Sequence, residues 1–183
     1  TMGTRVHVGP SRAARIVERI FSKIDEEMSE WKASSVLSRV NQAAGVTPIE
    51  CSEELIAVVQ QALDISSLTE GAFDPTWASM WELWDFDSPS LPDEQEISKR
   101  LPMVDWERVK VTENTIFLTD EGMALGLGGI AKGVALNKVR NAMIEEGIED
   151  FMIVVGGQVL VGGAARTVGI RKPDGLPNEL IGT

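Results

Sequence analysis

Residues 126–133 read Gly-Leu-Gly-Gly-Ile-Ala-Lys-Gly. Glycines at this density let backbone N–H groups come close to an anion. A helical pattern begins at about residue 130, so the positive end of a helix points at the same place. Lys132 falls in its first turn, where a cation opposes the helix dipole unless an anion is there to be neutralised. The combination fits a phosphate site, and it also fits a tight turn with an exposed lysine. The order Lys-Gly fails the P-loop pattern, which needs Gly-Lys-Ser/Thr. Residues 126–131 satisfy G-x-G-x-x-A, but a dinucleotide-binding unit needs a strong strand directly before them. Residues 123–125 are short and follow Asp120-Glu121-Gly122. A Rossmann-type, NAD-dependent oxidoreductase is therefore the weakest reading.

A second group lies at Gly71-Ala72-Phe73-Asp74-Pro75-Thr76. Asp74 can cap a following helix with Pro75 at its first position, and a carboxylate on that turn keeps acceptor sites for a ligand. Trp31 stands at a helix end beside Glu30, Lys32 and Ser34. Its planar side chain suits stacking on a planar ligand or covering an edge of the core. Trp77, Trp81 and Trp84 share one helix face and read as a core stripe. Asn41 reads as closing a helix end. His7 is the single histidine and Cys51 the single cysteine, so a thiolate metal cluster and an intrachain disulfide are excluded, and nothing in the pattern argues for a His-paired thiol.

The elements that would position these residues follow from pattern. Residues 4–8 alternate as a strand, and Gly9-Pro10 breaks it. Ser11 is expected to cap a helix running to about Met28, with Ile16, Ile20, Phe21, Ile24 and Met28 on one face. A short helix spans 35–43, residues 45–48 turn, and Ser52 caps a helix that ends near Gly71. Residues 76–84 form a tryptophan-rich helix, 88–93 a linker and 94–101 a short amphipathic helix. Strands 108–112 and 115–118 make a hairpin around Glu113-Asn114. A helix at 130–146 ends at Gly147. Strands follow at 151–155, 158–161 and 167–170. Helices come early and strands late, which predicts one α+β domain with a mixed or antiparallel sheet and packed helices.

The chain has 183 residues, 17 Lys+Arg against 28 Asp+Glu, and a formal charge of −11. Its length and its 43% hydrophobic content allow a substantial core. The acidity argues against nucleic acid as a partner, because nothing would neutralise a run of phosphates. The longest apolar runs, 55–59 and 151–155, are far below a membrane span. The chain opens on Thr and ends as a strand pattern starts, which leads us to expect a piece of a longer protein.

Taken together, the motifs resemble the FAD:protein FMN transferases, the ApbE family. Met2-Gly3-Thr4 resembles the first motif. Ile24-Asp25 through Met28-Ser29 and Trp31, then Ser35, Ser38 and Asn41, resemble the second. Residues 69–76 resemble the third, with Leu83-Trp84-Asp85-Phe86 after it. Residues 127–133 resemble L-G-G-I-A-K-G, Val155-Gly156-Gly157 a later [AV]-G-G, and Gly169-Ile170-Arg171-Lys172-Pro173 a G-I-x-x-P. The matches come in family order along nearly the whole chain. Departures fall at Gly126, where an Asp is usual, at Val134 and Asn137, and at Gln158.

The resemblance implies an enzyme that splits FAD with Mg²⁺. It would pass FMN to a Thr or Ser hydroxyl of an acceptor flavoprotein and release AMP. Met2 and Trp31 would flank the isoalloxazine. Ala72, Phe73 and Asp74 would hold the flavin neighbourhood. Gly128, Gly129 and Lys132 would meet the phosphates, and the Ala131 carbonyl would be a metal ligand. Residues 1–183 would form the N-terminal portion of the catalytic domain, and the family implies a bacterial cell-envelope location with a possible lipid anchor. The departures keep open a diverged, non-catalytic flavin-binding protein.

Overall fold

The computed structural model describes residues 5–85, 91–176 and 179–182. Met2, Gly3, Thr4 and Phe86 lie outside the described residues, as does the first half of the expected linker, 88–90. The chain enters through strand β1, Val6–Gly9, and a 3-10 turn at Ser11–Ala13. Helix α1 then spans Ala14–Met28. Ser11 does not cap it: neither the turn nor the helix has a side-chain cap, and Pro10 leads the chain in. Helix α2, Val36–Gln42, is capped by Ser35, whose oxygen accepts from Ser38 N. A two-residue strand β2, Ile49–Glu50, follows the turn expected at 45–48, at positions where no element is expected. Helix α3, Glu53–Leu68, is capped by Ser52 as expected. Its end is made by Glu70 and Gly71, both at positive φ.

Residues Pro75–Leu83 wind as 3-10 rather than α-helix. Winding at three residues per turn resets which side chains face inward relative to an α-helix. The face that enters the core therefore carries Thr76, Ala78, Ser79 and Met80, while Trp77 and Trp84 stay 43% and 37% exposed. The tryptophans are not a core stripe. Helix α4 spans Glu94–Arg100, and strands β3, Val109–Val111, and β4, Thr115–Leu118, form the expected hairpin.

Helix α5 covers Ala131–Glu145, and Gly147 follows it at positive φ. Strands β5, Phe151–Val155, and β6, Gln158–Gly162, form a second hairpin. The strand expected at 167–170 is reduced to β7, Ile170–Arg171, which pairs with β8, Leu180–Gly182.

Among the described residues three small sheets result, ordered β1-β5-β6, β2-β4-β3 and β7-β8. Every pairing in them is antiparallel, so the mixed alternative is not realised among the described residues. The dinucleotide-unit reading fails here. Among the described residues no strand leads directly into Gly126 and no parallel pair carries a crossover helix. The α+β expectation holds, and α1 packs along α5 over a shared core. Phe21, Ile24, Leu37, Leu55, Leu125, Leu127 and Met143 are fully buried in it. Each such side chain stabilises by about 1.5–3 kcal/mol. Two of them, Leu125 and Leu127, lie on either side of Gly126, so the glycine segment is anchored in the core.

Candidate functional site

The glycine segment is fastened from three directions before it reaches α5. Ser79 Oγ accepts from Ala124 N at 2.8 Å. Asn41 Oδ1 accepts from Leu125 N at 2.8 Å, and Asn41 Nδ2 donates to Leu125 O at 3.0 Å. Gly126 N donates to Pro75 O at 2.9 Å. Asn41 thus does more than close a helix end. Its amide imitates a neighbouring strand and fixes backbone 84 positions away. Ile130 N and Ala131 N both turn inward to Leu127 O, at 3.0 and 2.8 Å. Gly128 and Gly129 remain exposed ahead of α5, which has no side-chain cap and no acidic residue in its first turn. Backbone donors and a helix dipole are there offered to an anion. Lys132 Nζ folds back to Gly128 O at 3.1 Å, which holds its charge over the same turn.

Phe73 is half-buried against the core, and its ring lies 3.1 Å from where a Cβ on Gly129 would stand. Ala72 beside it is exposed. Asp74 is largely engaged within the fold. Its Oδ1 accepts from Thr76 N at 2.8 Å and from Thr76 Oγ1 at 2.6 Å, and its Oδ2 accepts from Trp106 N at 3.3 Å. The capping role is therefore fulfilled, and a ligand would share the lone pairs that remain. Ala131 is the buried first residue of α5. Among the described residues no group of three or more His, Cys, Asp or Glu side chains could hold a metal ion.

The corner that follows α1 carries two side chains to this site. Ser35 Oγ and Ser38 Oγ both donate to Ser29 O, at 2.5 and 3.3 Å. The serines of the second motif are thus explained: they clamp the end of α1 onto the start of α2. Lys32 pairs with Asp25 at 2.5 Å across the same corner. Trp31 projects from it, 71% exposed, so it does not cover the core. Its ring meets Trp81 edge-on at 4.9 Å, and Trp81 in turn meets Trp77 at 4.6 Å. A cleft of about 880 Å³ opens beside these rings, lined among others by Glu30, Trp31, Asn41, Trp81 and Leu125. That size suits a small-molecule ligand.

Glu30 joins the cleft to the glycine turn. It lines the cleft, and its carboxylate rests on residues 126–128. A Cβ on Gly126 would stand 2.6 Å from Glu30 Oε2. Burial pushes the Glu30 carboxyl above the usual carboxylate range, opposed by a hydrogen bond it accepts from the Leu127 backbone and by the charge of Lys132. Pattern reading attaches no role to Glu30 or Ser79 and puts Trp81 in a core stripe rather than on a cleft. The signal for Glu30 was a bare glycine at 126 together with an acidic residue next to Trp31, two facts that only the fold connects. Of the residues singled out from sequence, the structure gathers Phe73, Gly128, Gly129 and Lys132 around one turn. It sets Trp31 on the adjoining cleft. Ala72 and Asp74 sit on the loop behind Phe73.

Comparison with known proteins agrees with this fold. A model described as the ApbE family matches residues 2–183. The chain is 31% identical over 175 residues to an FAD:protein FMN transferase of Klebsiella pneumoniae, covering 93% of this chain and 55% of that protein. It is 29% identical over 165 residues to an FAD:protein FMN transferase of Vibrio cholerae, covering 88% and 47%. Among solved structures, the flavin transferase ApbE from Vibrio cholerae superposes with a TM-score of 0.85 at 27% identity, over 94% of this chain and 62% of that one. The ApbE protein of Thermotoga maritima superposes with a TM-score of 0.86 at 26% identity, over 99% and 63%. The chain spans about half the length of the curated relatives it matches.

Proposed function

This chain belongs to the ApbE family, and from that premise we propose that the protein carrying it is an FAD:protein FMN transferase. One observation supports the reading most: a cleft walled by Trp31 runs, by way of Glu30, into a glycine turn topped by Lys132 and the start of α5. A planar ring suits the first part and linked phosphates suit the second. FAD has both, joined by a short chain.

In the proposed reaction a Thr or Ser hydroxyl of an acceptor flavoprotein attacks the phosphorus of the FMN half. A new P–O bond forms to that hydroxyl oxygen, whose proton is released. The P–O bond to the bridging oxygen breaks, and AMP leaves with the electron pair. The residues of this chain would contribute by position and charge. Trp31 would hold the ring. The backbone of Gly128 and Gly129 would receive phosphate oxygens. Lys132 would offset the charge that gathers on the leaving phosphate.

The Mg²⁺ that the resemblance implies has one candidate ligand here, the Ala131 carbonyl. One carbonyl does not fit a hard cation that takes about six oxygens, so no step is routed through it, and metal dependence is a matter for chelation. A cell-envelope location is proposed on family resemblance alone; no helix among the described residues is long and apolar enough to cross a membrane.

The test mixes the complete protein with FAD, Mg²⁺ and an acceptor flavoprotein and reads the acceptor by mass spectrometry. An FMN-sized gain with AMP in solution is the expected result. FAD binding without any gain would favour a flavin-binding relative that lacks the transfer step.

A further inference from the structure

Glu30 carries an unsolved cost. Its Oε2 is buried and has no hydrogen-bond partner within the fold. A carboxylate oxygen kept from water without a donor is expensive, and native folds keep few of them. Yet the surroundings make room for it. A Cβ on residue 126 would stand 2.6 Å from Oε2, and one on residue 128 would stand 3.5 Å from Oε1. A side chain at position 126 would displace the Glu30 carboxylate from where it lies. The corner that presents Glu30 is fixed by the two serine hydroxyls on Ser29 O. This carboxylate is held in place; the Leu127 backbone is its donor within the fold, and it keeps acceptor positions toward the cleft that a ligand donor would use.

The identity of that donor follows from where Glu30 lies. On one side of it is the cleft with Trp31 and Trp81. On the other are Gly128 and the ammonium of Lys132. A flavin dinucleotide is built in the same sequence: an aromatic ring, then the hydroxyls of the ribityl chain, then phosphates. The part between ring and phosphate is the one rich in O–H donors, and a carboxylate is an acceptor with four lone-pair positions. Resting on the FAD reading above, we propose that Glu30 is the acceptor for ribityl hydroxyls. It is a binding residue that sets the span between ring and phosphate. Charge-assisted O–H···O⁻ bonds of this kind are the strong ones.

The experiment compares riboflavin with lumiflavin, which has the ring and lacks the ribityl chain. Affinities are measured by flavin fluorescence on the complete protein, for wild type, Glu30→Ala and Glu30→Gln, with FAD run alongside. The readout is the ratio of riboflavin to lumiflavin affinity. Glu30→Ala is expected to lower that ratio about tenfold or more, the loss of one hydrogen bond to a charged acceptor. Glu30→Gln, which keeps an acceptor oxygen, is expected to fall between. An unchanged ratio with equal loss of both ligands would overturn the proposal and place Glu30 against the ring or in a structural role. An FAD effect that vanishes on adding a chelator would overturn it in favour of a cation ligand. A wild-type protein that binds no FAD would instead overturn the transferase reading, and the role of Glu30 with it.

Discussion

Asn41 and Leu125 exchange two hydrogen bonds through one side-chain amide, 2.8 Å to the Leu125 N–H and 3.0 Å to its carbonyl. The pairing ties α2 to the last ordered step before the glycine turn. It satisfies both polar groups of a residue that is otherwise fully buried. Asn41→Ala should therefore do more than lose one contact. We expect a cost of about 2–3 kcal/mol, because two buried backbone groups are left without partners. Asn41→Asp keeps the acceptor but faces a carboxylate to the Leu125 carbonyl, and it should be no better. Thermal melts of the two variants, read against flavin affinity, check this. A variant as stable as wild type would show that the clamp is dispensable.

Ser35 does two things at once: it caps α2 through Ser38 N at 3.0 Å and donates to Ser29 O at 2.5 Å. Ser35→Ala removes both. A loss of about 1–2 kcal/mol is expected in chemical denaturation, the size of a lost cap. Flavin affinity should fall as well, because Glu30 and Trp31 ride on the corner that Ser29 begins.

Trp31 is the reverse case. At 71% exposure it contributes little to the core, so Trp31→Ala should shift stability by no more than about 0.5 kcal/mol. Its loss should be felt by the ligand. We expect bound flavin to fluoresce more brightly and to bind about tenfold more weakly, since aromatic stacking adds about 0.5–1.5 kcal/mol beyond burial. Trp31→Phe should recover most of the affinity.

Two carboxylates predict opposite responses to pH. Burial works to raise Glu54, but Lys138 at 2.6 Å and Lys23 at 3.1 Å outweigh it and hold the carboxyl below its ordinary value. Its contribution to stability is therefore present above the unfolded value. It is lost as pH falls through the lower, folded one, beneath about 4.3. Wild type should exceed Glu54→Gln by about 1 kcal/mol at neutral pH, the scale of a partly exposed network, and lose that advantage in acid. Glu30 runs the other way. Its folded value is raised, so its charged form opposes folding once pH passes the ordinary carboxylate range. Glu30→Gln should raise the melting temperature at neutral pH, even as it weakens binding of the ribityl chain.

Local chemistry was legible in the sequence, and long-range placement was not. Ser52 and Asp74 cap as their positions foretold, because an N-cap depends on residues two or three places away. The hairpin of β3 and β4 needed only Glu113-Asn114 and alternation. The tryptophans at 77, 81 and 84 misled because the 3.6-residue period was assumed where the chain winds at three per turn. Strand β2 has two residues, too few to show alternation, and exists only because β4 offers it a partner. Asn41 with Leu125, Ser79 with Ala124, and Glu30 with Gly126 are each separated by many elements. No spacing announces them. Gly126 looked like a lost carboxylate when taken alone. In the fold it is the space into which the Glu30 carboxylate fits.

The central claim is that one flavin dinucleotide spans the cleft and the glycine turn. A crystal structure of the complete protein with FAD tests it most directly. The account predicts the isoalloxazine against Trp31, a ribityl hydroxyl on Glu30, and phosphate oxygens on the N–H groups of Gly128 and Gly129 beside Lys132. An FAD whose phosphates lie away from residues 128–132, or whose ring is not in the Trp31 cleft, would contradict it.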